Sequence, residues 1–333
     1  MTVKAVSFAD LPGWETDDHA AALAVFVQSC DKIRENSQTR AQDWAEVCAF
    51  ARRESDTKNT TKATARAFFE LFFQPVLIED GAPTLFTGYY EPEIIGSRFR
   101  AGKFQYPLYK RPREMKLGSP WKTRAEIESG ALAGRNLELA WLADPVENFF
   151  LHVQGSGRIK LNEGGSMRVG FDGKNGQPYH SIGKEMVRLG ILSAHKASAG
   201  RIKAWVRKNP NDGRRILQHN PSFVFFRELA GLDPDAGPPG AMGVSVSTGR
   251  TIAVDDDYTP LGAPVWIDKR GRDPIRRLMV AQDVGSAIKG AQRADVYYGS
   301  GAEAGRIAGR IKDAGRMYTL LPHASVKRLL PEG

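Results

Sequence analysis

Three aspartates carry the chemistry this sequence can offer. Asp255 follows the apolar run Thr251-Ile252-Ala253-Val254, Asp283 lies two residues beyond Leu278-Met279-Val280-Ala281, and Asp295 sits between Arg293 and Val296-Tyr297-Tyr298. Each stands at the edge of a hydrophobic strand pattern, where an acid ordinarily serves a turn or a cap. The segment Gly285-Ser286-Ala287-Ile288-Lys289-Gly290 gives the set a second meaning, because a glycine-flanked stretch lets backbone and a lysine approach a ligand. It lacks the Gly-x-x-x-x-Gly-Lys-Ser/Thr order of a phosphate loop. Asp255-Asp256-Asp257 lacks the spacing of a calcium loop, and the six histidines show no HExxH or paired spacing. No metal and no cofactor are implied.

The elements that must position these acids come in two textures. Helical periodicity covers roughly 18 to 36, 41 to 55 and 62 to 74, and Pro75 stops the third. Short strand-like runs follow: Thr84 to Tyr90, Phe104 to Tyr109, Leu137 to Leu142, Asn148 to Val153, Arg158 to Leu161 and Met167 to Phe171. Thr123 with Glu126 forms a capping box, and helices are expected near 181 to 193, 198 to 208 and 212 to 219. Leu232 to Gly240, rich in Pro, Gly and Asp, reads as a linker. Beyond it, strands are expected at Arg250 to Val254, Pro264 to Ile267, Arg276 to Ala281, Ala294 to Tyr298 and Met317 to Leu321, with a helix from Glu303 to Lys312. Short strands without βαβ alternation predict a mainly β fold with helices, and a barrel.

The 333 residues suggest about two domains, and 41% hydrophobic with 26% charged residues supplies a core. The longest uncharged, mainly apolar run, Ala20 to Cys30, falls short of the roughly 20 residues a transmembrane helix needs. The net charge of +9 favours polyanionic partners. Nucleic acid is one such partner and an acidic glycan another; the cations are dispersed, with no zinc-finger spacing or recognition helix, so nucleic acid is not expected. Asp10, Glu15, Asp17 and Asp18 precede the apolar run, the wrong order for a secretory signal. Either a targeting segment precedes this chain or the protein is not exported. Cys30 and Cys48 lie in successive helical patterns, where they are either a disulfide across a hairpin or two buried thiols.

A family resemblance rests on ordered blocks of residues. Ile252-Ala253-Val254-Asp255, Pro260-Leu261-Gly262, Ala281 to Gly290 and Arg293-Ala294-Asp295-Val296-Tyr297 resemble the three-aspartate (3D) domain, a double-psi β-barrel. Upstream, Thr87-Gly88-Tyr89-Tyr90-Glu91-Pro92, Gln105-Tyr106-Pro107, Thr123 to Ile127, Val153-Gln154-Gly155-Ser156-Gly157 and Asn220 to Phe226 resemble the membrane-bound lytic murein transglycosylase A (MltA) family. The likeness runs from about Leu11 to Leu320. Ser286 departs from a glycine common in the family, and Val27-Gln28-Ser29-Cys30 is a poor lipobox.

The resemblance implies two domains facing each other across a groove. Domain A comprises 1–92 and 228–333, with the 3D domain at about 245–322, and domain B, smaller and barrel-like, is inserted at 93–227. It implies a monomeric, periplasmic exotransglycosylase, outer-membrane associated in the family, that cleaves peptidoglycan strands between N-acetylmuramic acid and N-acetylglucosamine and leaves a 1,6-anhydro sugar. Asp295 matches the family's acid, with Asp283 and Asp255 as supporting acids. Thr87, Tyr89, Tyr90, Gln105, Gln154, Ser156, Arg168, Lys289 and Tyr297 are expected to bind substrate. An inverting muramidase and a non-catalytic glycan-binding module are the alternatives. An Asp acting as an acid near neutrality needs its pKa raised by up to about 3 units, roughly 4 kcal/mol. Arg293 opposes this unless it turns to another partner.

Overall fold

Asp18 accepts a hydrogen bond from the Ala21 N–H and caps the helix His19–Ser29, and Thr61 caps Lys62–Phe72 in the same way. In the computed structural model, which describes residues 1–33, 39–55, 60–233 and 235–330, these helices join Ala41–Ser55 in one layer. The first helix stops at Ser29, where the apolar periodicity gives way to Asp31 and Lys32; the rest of its expected length, 34 to 36, lies outside the described residues. Leu23 and Phe26 meet Trp44, Val47, Phe68, Phe69 and Phe73 in a shared core. Cys30 and Cys48 are joined as a disulfide, with Cα atoms 5.5 Å apart, tying the first helix to the second.

The strands fall in three runs along the chain. β1 (Thr2–Ala5), β2 (Phe73–Glu79) and β3 (Leu85–Glu91) come first. β4 (Glu93–Ser97), β5 (Tyr106–Tyr109), β6 (Glu138–Leu142), β7 (Ser156–Leu161), β8 (Ser166–Lys174) and β9 (Val224–Glu228) occupy the middle. β10 (Thr251–Val254), β11 (Pro264–Lys269), β12 (Ile275–Val284), β13 (Arg293–Ser300) and β14 (Gly315–Pro322) close the chain. One sheet has the order β1-β2-β14-β11-β12-β10-β13-β3 and the other β5-β6-β4-β7-β8-β9. The fold is therefore mixed and sheet-rich, with helices. β1, β2, β4 and β9 were not among the expected strands.

Contacts divide the chain into two units. The first holds Met1–Tyr89, Pro239–Gly299 and Arg310–Gly333; the second holds Tyr90–Pro238 and Ser300–Gly309. The division departs from the expected one by placing 90–92 and 228–238 with the middle segment, and most of all at the short helix Gly301–Ala308, which belongs there rather than with the C-terminal domain. Two contacts explain it. Gly305 lies so close to the Tyr90 ring that a Cβ there would stand 2.6 Å from it, and the Ser300 hydroxyl donates to Glu91.

In the first unit β10 lies between β12, which runs parallel to it, and β13, which runs antiparallel. Ile252, Val254, Val265, Ile267, Met279, Ala281, Ala294 and Val296 bury one face of these strands. In the second unit Asn148 to Val153, expected as a strand, belongs to the helix Pro145–Gln154. Asp144 accepts from the Val146 N–H, Pro145 takes the first turn and Gly155 ends the helix at φ 76°. Val146, Phe149 and His152 then recur every third residue on a buried face, a helical spacing that the apolar composition of the run obscured.

Candidate active site

Two of the three aspartates share one face of the sheet. Ala253 on β10 is opposite Asp295 on β13 and, past a bulge, opposite Asp283 on β12. Residues in register across neighbouring strands point to the same side, so both carboxyl groups rise beside Ala253, with Cα atoms about two strand spacings, roughly 10 Å, apart. That face continues into a small cluster of Tyr89, Val246, Ala253, Ile288 and Tyr297.

Thr87 on β3 donates its hydroxyl hydrogen to Asp295 Oδ1 at 2.6 Å. The same Thr87 oxygen accepts from Arg293 Nη2 at 2.8 Å, and Arg293 Nη1 donates to the carbonyls of Ala294 and Leu85. Arg293 is therefore tied to backbone and to Thr87, and among the described residues no ion pair joins it to Asp295. Asp295 Oδ2 accepts no hydrogen bond from the described residues. The Asp295 carboxyl lies deep among protein atoms while the residue keeps part of its surface. Burial lifts its pKa above the ordinary carboxylate range, against the lowering effects of the Thr87 hydrogen bond and the Arg293 charge.

Burial also pushes Asp283 up, to about 6, although its Oδ1 accepts from the Ala241 N–H at 2.9 Å and the Val284 N–H at 3.0 Å. The charge on Asp295 adds to the rise. Beside it stands the buried Tyr89 hydroxyl, and burial, then the Asp283 charge, holds its pKa well above the usual phenol value. Ala241 stands just past the stretch that reads as a linker in sequence, and a backbone N–H leaves no side-chain signal by which it could have been found.

Asp255 plays a different part from the one expected. Its Oδ1 accepts from Lys289 Nζ at 2.7 Å and its Oδ2 from the Gly290 N–H at 2.8 Å, and the residue is only 3% exposed. Both oxygens are spent on anchoring the 285–290 segment, so Asp255 is a loop anchor rather than a supporting acid. Lys289, exposed, gives its ammonium to this anchor and lies 3.8 Å from Asp257. Asp255, Asp256 and Asp257 offer oxygens within 4.8 Å of one another, the one such cation-sized group among the described residues. Lys289 already neutralises it in part.

The remaining expected ligand residues scatter. Tyr297 is 1% exposed, its ring centroid 5.1 Å from that of Tyr89, and it serves the core; no ring face of Tyr297 is open to a sugar, and Tyr89 is nearly as buried. Arg168 is not open to substrate either. With Arg158 and Ser300 it surrounds the fully buried Glu91, giving Nη2 to Oε1 at 2.9 Å while Arg158 Nε takes Oε2 at 2.8 Å. Glu91 is a structural hub that sequence reading passed over, although it lies inside the Thr87 to Pro92 block. Gln154 Oε1 accepts from the Tyr90 N–H at 3.0 Å, Ser156 is buried at the start of β7, and Tyr90 is half-buried. Gln105 sits in a cavity of the second unit, with its Oε1 accepting from Arg100.

Residues 85–227 match the MltA specific insert domain and residues 250–321 match the 3D domain. The crystal structure of a membrane-bound lytic murein transglycosylase from Agrobacterium tumefaciens aligns with 99% of this chain and 100% of its own, at 31% identity and a TM-score of 0.88. The chain belongs to the lytic murein transglycosylase A family. MltA from Neisseria gonorrhoeae, another structure similar to this chain, is 33% identical, covers 96% of this chain and 92% of its own, and has a TM-score of 0.78. MltA from Escherichia coli with bound chitohexaose is 30% identical over 97% and 95%, with a TM-score of 0.74. The membrane-bound lytic murein transglycosylase A of E. coli K12 is 38% identical over 247 residues, 71% of this chain. That match spans 65% of the relative's length, just under two thirds. The mixed, sheet-rich architecture is the one seen across these MltA structures.

Proposed function

We propose that the chain is a lytic transglycosylase of peptidoglycan in which Asp295 is the single acid and base. The observation that carries this reading is the state of its carboxyl group: burial raises its pKa, Thr87 fixes Oδ1, and Oδ2 has no partner among the described residues and can bear a proton. Protonated Asp295 gives its hydrogen to the oxygen of the β-1,4 bond as that bond to muramic C1 breaks, releasing the C4 hydroxyl of N-acetylglucosamine. The resulting carboxylate takes the hydrogen of the muramic C6 hydroxyl, whose oxygen bonds to C1. No water enters, and Asp295 ends protonated, as it began. An attacking hydroxyl already tethered to the reacting sugar has a high effective concentration, so a second carboxylate is not required.

The bound chitohexaose of the E. coli relative and the +9 charge of this chain support a β-1,4 amino-sugar polymer bearing carboxylates as substrate. A periplasmic site of action is supported by the disulfide and by the membrane-bound relatives. We read the first unit's sheet as the family's double-psi barrel, supported by the parallel β10–β12 pairing beside antiparallel neighbours.

One observation favours a second reading. Asp283 flanks Ala253 opposite Asp295, and a second carboxyl group on the same face is what an inverting hydrolase uses to activate water. Mass spectrometry of murein digests separates the readings: anhydro products lack one water relative to hydrolysed ones. Asp295→Asn is expected to lower turnover by about 10²–10⁴-fold or more, the contribution of a general acid. A product with a reducing muramic end overturns the transglycosylase reading, and full activity in Asp295→Asn overturns the role of Asp295.

A further inference from the structure

The second unit contains a cavity of about 1050 Å³ built wholly from its own residues. None of the three aspartates lines it, and its volume is just above the roughly 300–1,000 Å³ typical of ligand pockets. Its wall carries Tyr106 and Trp141, both half-buried, so each keeps some ring surface open. The Arg100 guanidinium lies over one face of the Trp141 ring, 5.3 Å from its centroid, and gives its Nε to Gln105 Oε1 at 2.9 Å, while Gln105 Nε2 donates to the Gly102 carbonyl at 2.8 Å. An aromatic platform with an amide and a guanidinium fixed beside it is a surface for a pyranose ring carrying polar substituents.

The charges in the wall are unequal in availability. Arg124 is committed to Glu128 and to the carbonyls of Asn220 and Ser222, and Arg207 to Asp144 and Glu147. Arg100 and Arg214 have no carboxylate partner among the described residues, and both are exposed. Glu138 is the one wall acid with no ion pair among the described residues, and it can accept from sugar hydroxyls. Two cations without acidic partners in one wall, Arg100 over the Trp141 ring and Arg214, outweigh the single unpaired acid Glu138 and favour an anionic ligand above a neutral one of the same shape.

We infer that this cavity is a second, non-catalytic saccharide site that holds a carboxylate-bearing amino sugar, with Trp141 as platform and Arg100 and Arg214 as the carboxylate clamp. The inference rests on the murein reading for its ligand, the disaccharide of N-acetylglucosamine and N-acetylmuramic acid, whose lactyl group supplies the carboxylate. It gives Gln105 a place in substrate binding apart from Asp295.

Calorimetric titration of the full chain carrying Asp295→Asn with this disaccharide tests the inference without turnover. Two classes of site are expected. Adding Arg214→Glu weakens one class by about tenfold or more and leaves the other unchanged, and adding Trp141→Ala weakens the same class. Chitobiose, of similar size and lacking the carboxylate, is expected to bind that class more weakly and to be indifferent to Arg214→Glu. A single class of site, or two classes that neither substitution alters, overturns the inference. Should Trp141→Ala fail to fold by circular dichroism, exposed Arg214→Glu decides alone. Product analysis with the unsubstituted chain reports separately on the murein reading: absence of anhydro products sinks that reading, and the titration still reads the site.

Discussion

Asp283 and Asp295 face each other across a single small residue, Ala253, from the two strands that flank β10. Burial holds Asp283 at about 6, and the charge on Asp295 adds to the rise. In Asp295→Asn, a carbon-detected titration should find Asp283 with a pKa below that of the unsubstituted chain. The same shift makes a stability statement. Asp283 binds its proton more tightly folded than unfolded, so between about pH 4 and pH 6 the folded state loses stability as pH rises, and the loss is complete above 6. Asp283→Asn, whose amide oxygen can still accept from Ala241 and Val284, should therefore gain on the unsubstituted chain between pH 4 and pH 7, by on the order of 1–3 kcal/mol. Urea melts at the two pH values measure it; an unchanged difference counts against a raised Asp283.

Thr87 stands between a cation and an acid, accepting from Arg293 and donating to Asp295. Thr87→Val removes a bond that lowers the Asp295 pKa, so the carboxyl should hold its proton to higher pH. Turnover needs that proton, so kcat/KM falls as pH rises through the Asp295 pKa, and in Thr87→Val this descending limb should move to higher pH. The substitution also strips Arg293 Nη2 of its acceptor, at about 1–3 kcal/mol. A limb that stays in place while stability falls would leave Thr87 a purely structural residue.

Glu91 is fully buried between Arg158 and Arg168. Glu91→Ala leaves two guanidinium groups facing a void, and removing one partner of a buried ionic network typically costs about 3–5 kcal/mol. Denaturant unfolding followed at Trp121 and Trp141, both in the second unit, should register this loss. A change below about 1 kcal/mol would mean that water replaces the carboxylate without penalty.

The Cys30–Cys48 bond closes a loop with a sequence separation of 18. A loop of this length restricts the unfolded chain by about 3 kcal/mol. Thermal melts with and without a reductant should differ by several degrees, and Cys30→Ser with Cys48→Ser should reproduce the reduced curve in either condition. Coincident curves for the oxidised and reduced protein would remove the disulfide from the account of stability.

Much of this protein was written in its local sequence. Continuous apolar runs from Thr251 to Val254 and from Leu278 to Ala281 specified strands, and the capping box at Thr123 specified a helix start, because short apolar runs and caps act within a few residues. The ordered blocks around the three aspartates disclosed the family on the same local basis. Partnership was another matter. Whether Arg293 would depress Asp295 depended on Leu85 and Thr87, some two hundred residues away. Tyr297 looked like a sugar platform until Tyr89 covered it, and Arg168 looked free until Glu91 claimed it. Asp255 matched its neighbours as a residue type, yet only the folded loop brought Lys289 and Gly290 to its two oxygens. Short-range order follows from the chain itself; the protonation and availability of a side chain follow from what long-range packing sets against it, and those contacts exist only once β3, β10, β12 and β13 lie side by side.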